Sequence, residues 1–395
     1  MIDINYKNTK EIQEKYELGV FPRRDLVINS GKNALLYDEN GKEYIDCISG
    51  NGVANIGHAN PKITEAIRIQ SEKLITCPGI FFNNKKAELL EKLVNICPDN
   101  MRKVFLSNSG TEAVEAAIKF ARFVTKKPGI ISAMKAFHGR TFGSLSATAK
   151  KEYREGFDPL LSGFTSVPFD NFEKLEESVN DQTGGILLEV VQGEGGINIG
   201  SKEYFTKVRK LCDEKEIILI IDEVQSGFCR TGKMFACEHF DLKPDILCLA
   251  KAIAGGIPMG ATVCSEKIDI PIGKHGTTFG GNPLTCAASI AAIDFMTEND
   301  LAEESRKKGE YFLKKMNESE LKMVREIRQI GLMIGIELRV KPKEYILKLM
   351  EEGILVLPGG MTVLRILPPL TIEYELIDKV CVALKKILNE DLQSE

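Results

Sequence analysis

The chain has 395 residues, a formal net charge of -4, and a composition with 43% hydrophobic and 27% charged residues, which suits a soluble protein long enough for two domains. The mild acidity and the lack of a long Lys/Arg block exclude a surface that tracks nucleic-acid phosphates, and no apolar run approaches the roughly 18 to 20 residues of a membrane span. The opening MIDINYKNTKEIQEKYELG lacks the basic-then-apolar order of a signal peptide, and the ten scattered cysteines form no CxxC pair, so a cytoplasmic protein is expected.

Near the start, NALLYDENGKEYIDC predicts a hairpin, with Glu39, Asn40 and Gly41 between two β-rich arms. NKKAELLEKL reads as a solvated helix face. From about Lys103 to Glu266, the apolar runs KVFLSN, GIISAM, GILLEVV, IILIIDEV, DILCLAK and GATVCSE alternate with segments of helical period such as TEAVEAAIKFARFVT and KEYFTKVRKLCDEKE. Runs that are apolar throughout imply strands buried on both faces. The fold class is therefore α/β, with a mostly parallel sheet flanked by helices. The last hundred or so residues predict a smaller α/β domain, with helices in LAEESRKKGEYFLKKM, PKEYILKLMEEG and ELIDKVCVALKKILNE and strands in GLMIGIEL, ILVLP and VLRILPP. The expected division is an N-terminal segment (1–45) packing with the small domain, a large domain (46–285) and a small C-terminal domain (286–395). No internal repeat is present, and four histidines far apart in sequence predict no metal site.

In a doubly wound sheet, ligands sit at the carboxyl ends of the strands, and three runs end there in polar residues. In FLSNSGTEAVEAA, Ser109, Gly110 and Thr111 open a helix, either as an anion site built on free N–H groups and a hydroxyl or as a plain N-cap. IILIIDEVQSGF ends in Asp222 and Glu223, and a carboxylate at a buried strand end needs a cationic partner. DILCLAKAIAGG ends in Lys251, which either caps its strand or loses its charge to become a nucleophile. A protonated ring nitrogen and an aldehyde, both found in pyridoxal phosphate, would serve the carboxylate and the amine respectively.

At this point SNSGTEAVEAA, AFHGRTFGSLSAT, VVQGEGG, IIDEVQSGFCRTGKMFACEHF, PDILCLAKAIAGGIPMG and HGTTFGGNPL resemble the motifs of the class III pyridoxal-phosphate aminotransferases, over nearly the whole chain. The resemblance implies an aspartate-aminotransferase-like fold (fold type I) and a homodimer with shared active sites. It implies that Lys251 condenses with the cofactor aldehyde and shuttles protons, that Asp222 holds the ring nitrogen, and that Gln225 lies near the ring hydroxyl. Ser109, Gly110 and Thr111 would bind the phosphate, Phe137 would stack on the ring, and Glu223 would belong to the cofactor site. Thr278 would reach the phosphate of the neighbouring subunit and Thr277 would lie near the substrate. Arg140 fits a carboxylate clamp, because a guanidinium binds both oxygens at once.

Within the class, the chain is similar to the acetylornithine aminotransferases and to their lysine-pathway relatives that act on carrier-linked substrates. That implies transfer of a terminal amino group between an N-blocked ornithine or lysine and 2-oxoglutarate, with an acidic carrier protein as a partner in the second branch. Glu194 in QGEGG and Arg365 in VLRILPP match a pair that swaps partners between half-reactions in ornithine-type members. The sequence departs from the family pattern at Val190, Cys229 and Ala254. His138, beside Phe137, suits a cofactor contact or a structural hydrogen bond equally. The alternatives are an ornithine or 4-aminobutyrate aminotransferase, or glutamate-1-semialdehyde aminomutase, on the same fold. A nucleotide-binding module would need a GxxxxGKS or GxGxxG loop that the chain lacks.

Overall fold

The computed structural model describes residues 9–390; residues 1–8 of the expected N-terminal segment and 391–395 of the C-terminal region lie outside the described residues. Strands β1 (Ile28–Lys32), β2 (Leu35–Asp38) and β3 (Glu43–Asp46) form an antiparallel meander. Gly41 turns the predicted hairpin with a φ of 80°, a left-handed conformation that favours glycine.

The central sheet has seven strands: β4 (Met101–Ser107), β5 (Gly129–Ala133), β6 (Phe164–Val167), β7 (Thr183–Leu188), β10 (Ile218–Asp222), β11 (Ile246–Leu249) and β12 (Gly260–Ser265), with β8 (Val191–Gln192) and β9 (Asn198–Ile199) forming a separate two-strand ladder. The spatial order is β4-β12-β11-β10-β7-β5-β6. Only β12 runs against its neighbours, so the other strands bring their carboxyl ends to one edge. Alternate residues feed two cores. Ile218, Ile220, Ile246 and Cys248 pack with the helix Gly110–Thr125, while Leu219, Ile221, Leu247 and Leu249 pack on the other face. Burying each such side chain contributes about 1.5–3 kcal/mol, which is why the runs show no polar alternation.

Toward the C terminus, β13 (Val324–Ile330), β14 (Met333–Leu338), β16 (Leu357–Gly359) and β17 (Val363–Ile366) make an antiparallel sheet in the order β13-β14-β17-β16. The run ILVLP, expected as one strand, is split. Its first half, β15 (Ile354–Leu355), pairs in parallel with β3, whereas β16 pairs with β17, so the chain changes sheets at Val356. Residue 45 consequently lies inside a strand tied to the C-terminal region, and residue 285 lies inside the helix Pro283–Glu298.

Arg230 pins these layers together. It is fully buried, and its guanidinium donates to the carbonyls of Leu332 and Pro368 and to the side chain of Asn55. Burial without a directly bonded carboxylate pushes its pKa down to about 9.

Candidate active site

A cavity of about 470 Å³ opens at the shared strand edge. Each wall comes from the end of a different strand. Ser109, Gly110 and Thr111 follow β4, Phe137 to Arg140 follow β5, Glu189 follows β7, Glu194 follows β8, Asp222 ends β10 with Val224 and Gln225 just beyond, and Ala250 and Lys251 follow β11. This is the place where the topology of a doubly wound sheet leaves a crevice.

Lys251 sits in a left-handed conformation (φ 46°) at the start of a 3-10 turn. For a side chain with a Cβ that conformation costs about 1–2 kcal/mol. Lys251 is half-buried in the cavity wall. Burial pushes its pKa down to about 8, against the opposing pull of Glu194, Asp222 and Glu189 and with the help of Arg365. A usable fraction of the amine, roughly a tenth, is then neutral at pH 7.

Asp222 ends β10 and is 5% exposed. Its Oδ1 accepts the N–H of Val224 at 3.0 Å, and its Oδ2 pairs with Nδ1 of His138 at 2.8 Å. His138 therefore makes a structural hydrogen bond, while its Nε2 finds no partner among the described residues. Burial lowers the pKa of this imidazole, but the bond to Asp222 and the charges of Asp222 and Glu189 outweigh it, and the net shift is upward.

Of the two readings left open by the sequence, the N-cap is present, and it leaves free the N–H groups that an anion site would use. Ser109 Oγ accepts the N–H of Glu112 at 3.3 Å, which caps the helix Gly110–Thr125. The N–H groups of Gly110 and Thr111 have no acceptor among the described residues. Gly110 is required there, since a Cβ would stand 2.7 Å from Val224 Cγ1. Gly139 has a φ of 131°, and a Cβ there would come within 2.4 Å of Thr111 Oγ1.

Arg140 is exposed at the cavity mouth, its guanidinium 3.5 Å from the centroid of Tyr153 and 5.6 Å from that of Phe137. Glu194 faces the cavity and its Oε1 lies 2.6 Å from Nη1 of the nearly buried Arg365, which also donates to Oε1 of Gln225 at 3.3 Å. The described pair is thus closed.

Four expected residues lie off this cavity: Arg365, which is joined to the lining residues Glu194 and Gln225, and three others. Glu223 turns away from it: its carboxylate accepts the N–H groups of Ala236 and Cys237 and the hydroxyl of Ser226. Strand alternation gives the reason, since neighbours at a strand end point to opposite faces. Thr277 and Thr278 belong to the segment after β12. Thr277 Oγ1 bonds Asn108 Nδ2 at 3.3 Å, and Thr278 is exposed.

Glu189, Asn108 and Val53 line the cavity without having been singled out from the sequence. Glu189 is a carboxylate at the end of a strand, like Asp222, but Val190 and Val191 continue the apolar run past it. Burial pushes its pKa up to about 7, with His138 lowering it and Asp222 raising it.

A lowered-pKa amine, a buried carboxylate, an aromatic wall and a helix N terminus with free N–H groups fit pyridoxal phosphate. Lys251 suits its aldehyde, Asp222 its ring nitrogen, Phe137 its ring and Gly110–Thr111 its phosphate.

The model of the class-III aminotransferase family matches residues 20–388. An acetylornithine aminotransferase of Methanocaldococcus jannaschii is 44% identical over 397 residues, covering 98% of this chain and 99% of that one. A LysW-aminoadipate semialdehyde transaminase of Deinococcus radiodurans is 44% identical over 382 residues, covering 95% of this chain and 89% of that one. Among solved structures, the taurine:2-oxoglutarate aminotransferase of Bifidobacterium kashiwanohense, in complex with pyridoxal phosphate and glutamate, superposes with a TM-score of 0.93 at 28% identity, covering all of both chains.

Proposed function

The chain belongs to the class III aminotransferase family, whose cofactor is pyridoxal phosphate, and from that premise we propose that it moves the terminal amino group of an N-blocked ornithine or lysine to 2-oxoglutarate, or the reverse in biosynthesis. The carrying observation is that Glu194, on the cavity wall, pairs at 2.6 Å with the buried Arg365 outside the lining. A guanidinium masked by a carboxylate leaves that wall without a free positive charge, so an ω-amine can enter. Once the pair opens, the same guanidinium meets the distal carboxylate of glutamate or 2-oxoglutarate. The relatives' names fit this reading, one specifying acetylornithine and the other a LysW-linked aminoadipate semialdehyde.

When bound, the cofactor supplies an aldehyde for the amino group and a ring that withdraws electrons from the adjacent carbon. Lys251 Nζ would hold the cofactor through that aldehyde, and its amine is the group placed to move a proton at the adjacent carbon. Asp222 would face the ring nitrogen, with its carboxylate oriented by the bond to His138. Ser109, Gly110 and Thr111 would hold the phosphate, Phe137 would cover the ring and Gln225 would lie near its hydroxyl. Arg140 leaves Tyr153 to clamp the α-carboxylate, which each substrate presents in its own half-reaction, with Thr277 close to the substrate.

Single-turnover half-reactions with N-acetylornithine, carrier-linked lysine, free ornithine and glutamate test the assignment. An N-blocked diamine should surpass free ornithine in kcat/KM, and the reverse order would reject it. Glu194→Ala frees Arg365, so the ratio of kcat/KM for N-acetylornithine over glutamate should fall by roughly ten- to a hundred-fold. Arg365→Ala should raise the same ratio. An unmoved ratio in both variants makes the pair merely structural.

The proposal includes a homodimer in which Thr278 serves the partner's phosphate site. Two exposed apolar stretches support it, Ile80-Phe81-Phe82 and the segment with Ile272 and Phe279 beside Thr278, since patches of this kind mark surfaces covered by another chain. Mixing inactive Lys251→Ala with inactive Thr278→Ala protein should restore roughly a quarter of wild-type activity, because half the dimers are mixed and each has one intact site. No recovery after verified subunit exchange would show that the site is not shared. A cytoplasmic location accords with ten cysteines that are all free thiols, and no helix among the described residues is long and apolar enough to cross a membrane.

A further inference from the structure

Resting on the gate reading above, we propose that Glu189 is a positioning residue that ties the ring-covering Phe137 to the gate residue Glu194. Glu189 closes β7 at the cavity and is 6% exposed. Its two oxygens are used separately. Oε2 accepts the backbone N–H of Phe137 at 3.1 Å, and Oε1 accepts that of Gly193 at 3.3 Å. Neither N–H has another acceptor among the described residues. One carboxylate therefore spans two segments that follow different strands, one bearing the aromatic wall and the other leading directly into Glu194.

Packing around Gly193 carries the constraint onward. A Cβ at Gly193 would stand 1.9 Å from Oε1 of Gln225, and that same oxygen accepts from Arg365. Any drift of the Gly193 backbone thus pushes on Gln225 and, through it, on Arg365, while also moving Glu194 relative to its partner. A carboxylate offers a separate acceptor oxygen to each of the two N–H groups; an amide of the same shape offers one such oxygen and turns a donor toward the other N–H.

Glu189→Gln is therefore the informative variant. Its N-acetylornithine-to-glutamate ratio should fall about tenfold, in the direction of Glu194→Ala, and the double variant Glu189→Gln/Glu194→Ala should match Glu194→Ala alone, because the first residue acts through the second. Amide hydrogen exchange, read without substrate on peptides covering Phe137 and Gly193, should accelerate in the variant. Unchanged exchange at both amides, or a double variant whose effects simply add, would overturn the proposal. If Glu189→Gln does not fold, Glu189→Asp, whose shorter arm reaches one segment only, gives the same two readouts. If Glu194→Ala shifts the ratio and Glu189→Gln does not, the Glu189 tie falls while the gate stands; if Glu194→Ala itself has no effect, the gate and this extension fall together.

Discussion

Replacing Lys251 by alanine is expected to lower single-turnover rates by at least about 10³-fold, while the protein stays folded and still takes up cofactor. The loss combines covalent holding with proton transfer, and proton transfer alone is worth about 10²–10⁴-fold. Folding should survive because the substitution removes a desolvated amine whose pKa is pushed down to about 8 by burial, leaving only the left-handed backbone to be tolerated by alanine. Stopped-flow absorbance with amino donor checks the rate, and thermal melting checks the fold. Near-wild-type turnover in this variant would remove Lys251 from the reaction.

Asp222→Ala should cost roughly 10²–10³-fold in kcat, the scale of losing one preorganised charge contact at a reacting group. Two effects separate this from a folding defect. The ring nitrogen loses its counter-charge, so the proton-abstraction step slows while binding of the amino donor changes little. His138 loses its Oδ2 partner at 2.8 Å. Burial then dominates, and the imidazole pKa, raised in the wild type by Asp222 and Glu189 against burial, should drop. In the wild type, stability from the raised His138 pKa is present below the ordinary histidine value and lost as pH rises through the folded value. The variant should lack that slope, which NMR titration of His138 and pH-dependent unfolding would both register. An unchanged kcat would reduce Asp222 to a cap on the turn after β10.

The residues that end apolar runs were legible in the sequence because burying a strand on both faces leaves polar groups only at its ends. Ser109 to Thr111, Asp222 and Lys251 all follow this rule, and they come from strands β4, β10 and β11 of one sheet. Glu189 obeys the same rule at the end of β7, yet it was not singled out, because GILLEVV continues apolar beyond it and hides the strand end. Glu223 shows the converse. Adjacency to Asp222 suggested a shared role, but one step along a strand end reverses the face, and its carboxylate serves the amides of Ala236 and Cys237. The reversed direction of β12 and the sheet change at Val356 depend on pairing partners distant in sequence, which periodicity does not encode. Thr278 lies exposed in the segment after β12 and outside the cavity lining, where the strand-end rule does not reach.

The central claim is that the amine of Lys251, at the strand edge with Asp222, is where the cofactor is held. Borohydride reduction of the holoenzyme followed by proteolysis and mass mapping tests it most directly, since reduction makes the link between Nζ and the cofactor permanent. The predicted result is one pyridoxyl group per chain on the peptide containing Lys251, abolished when an amino donor is added before the reductant. A label on any other lysine, or none in protein that shows the cofactor's visible band, would contradict the account.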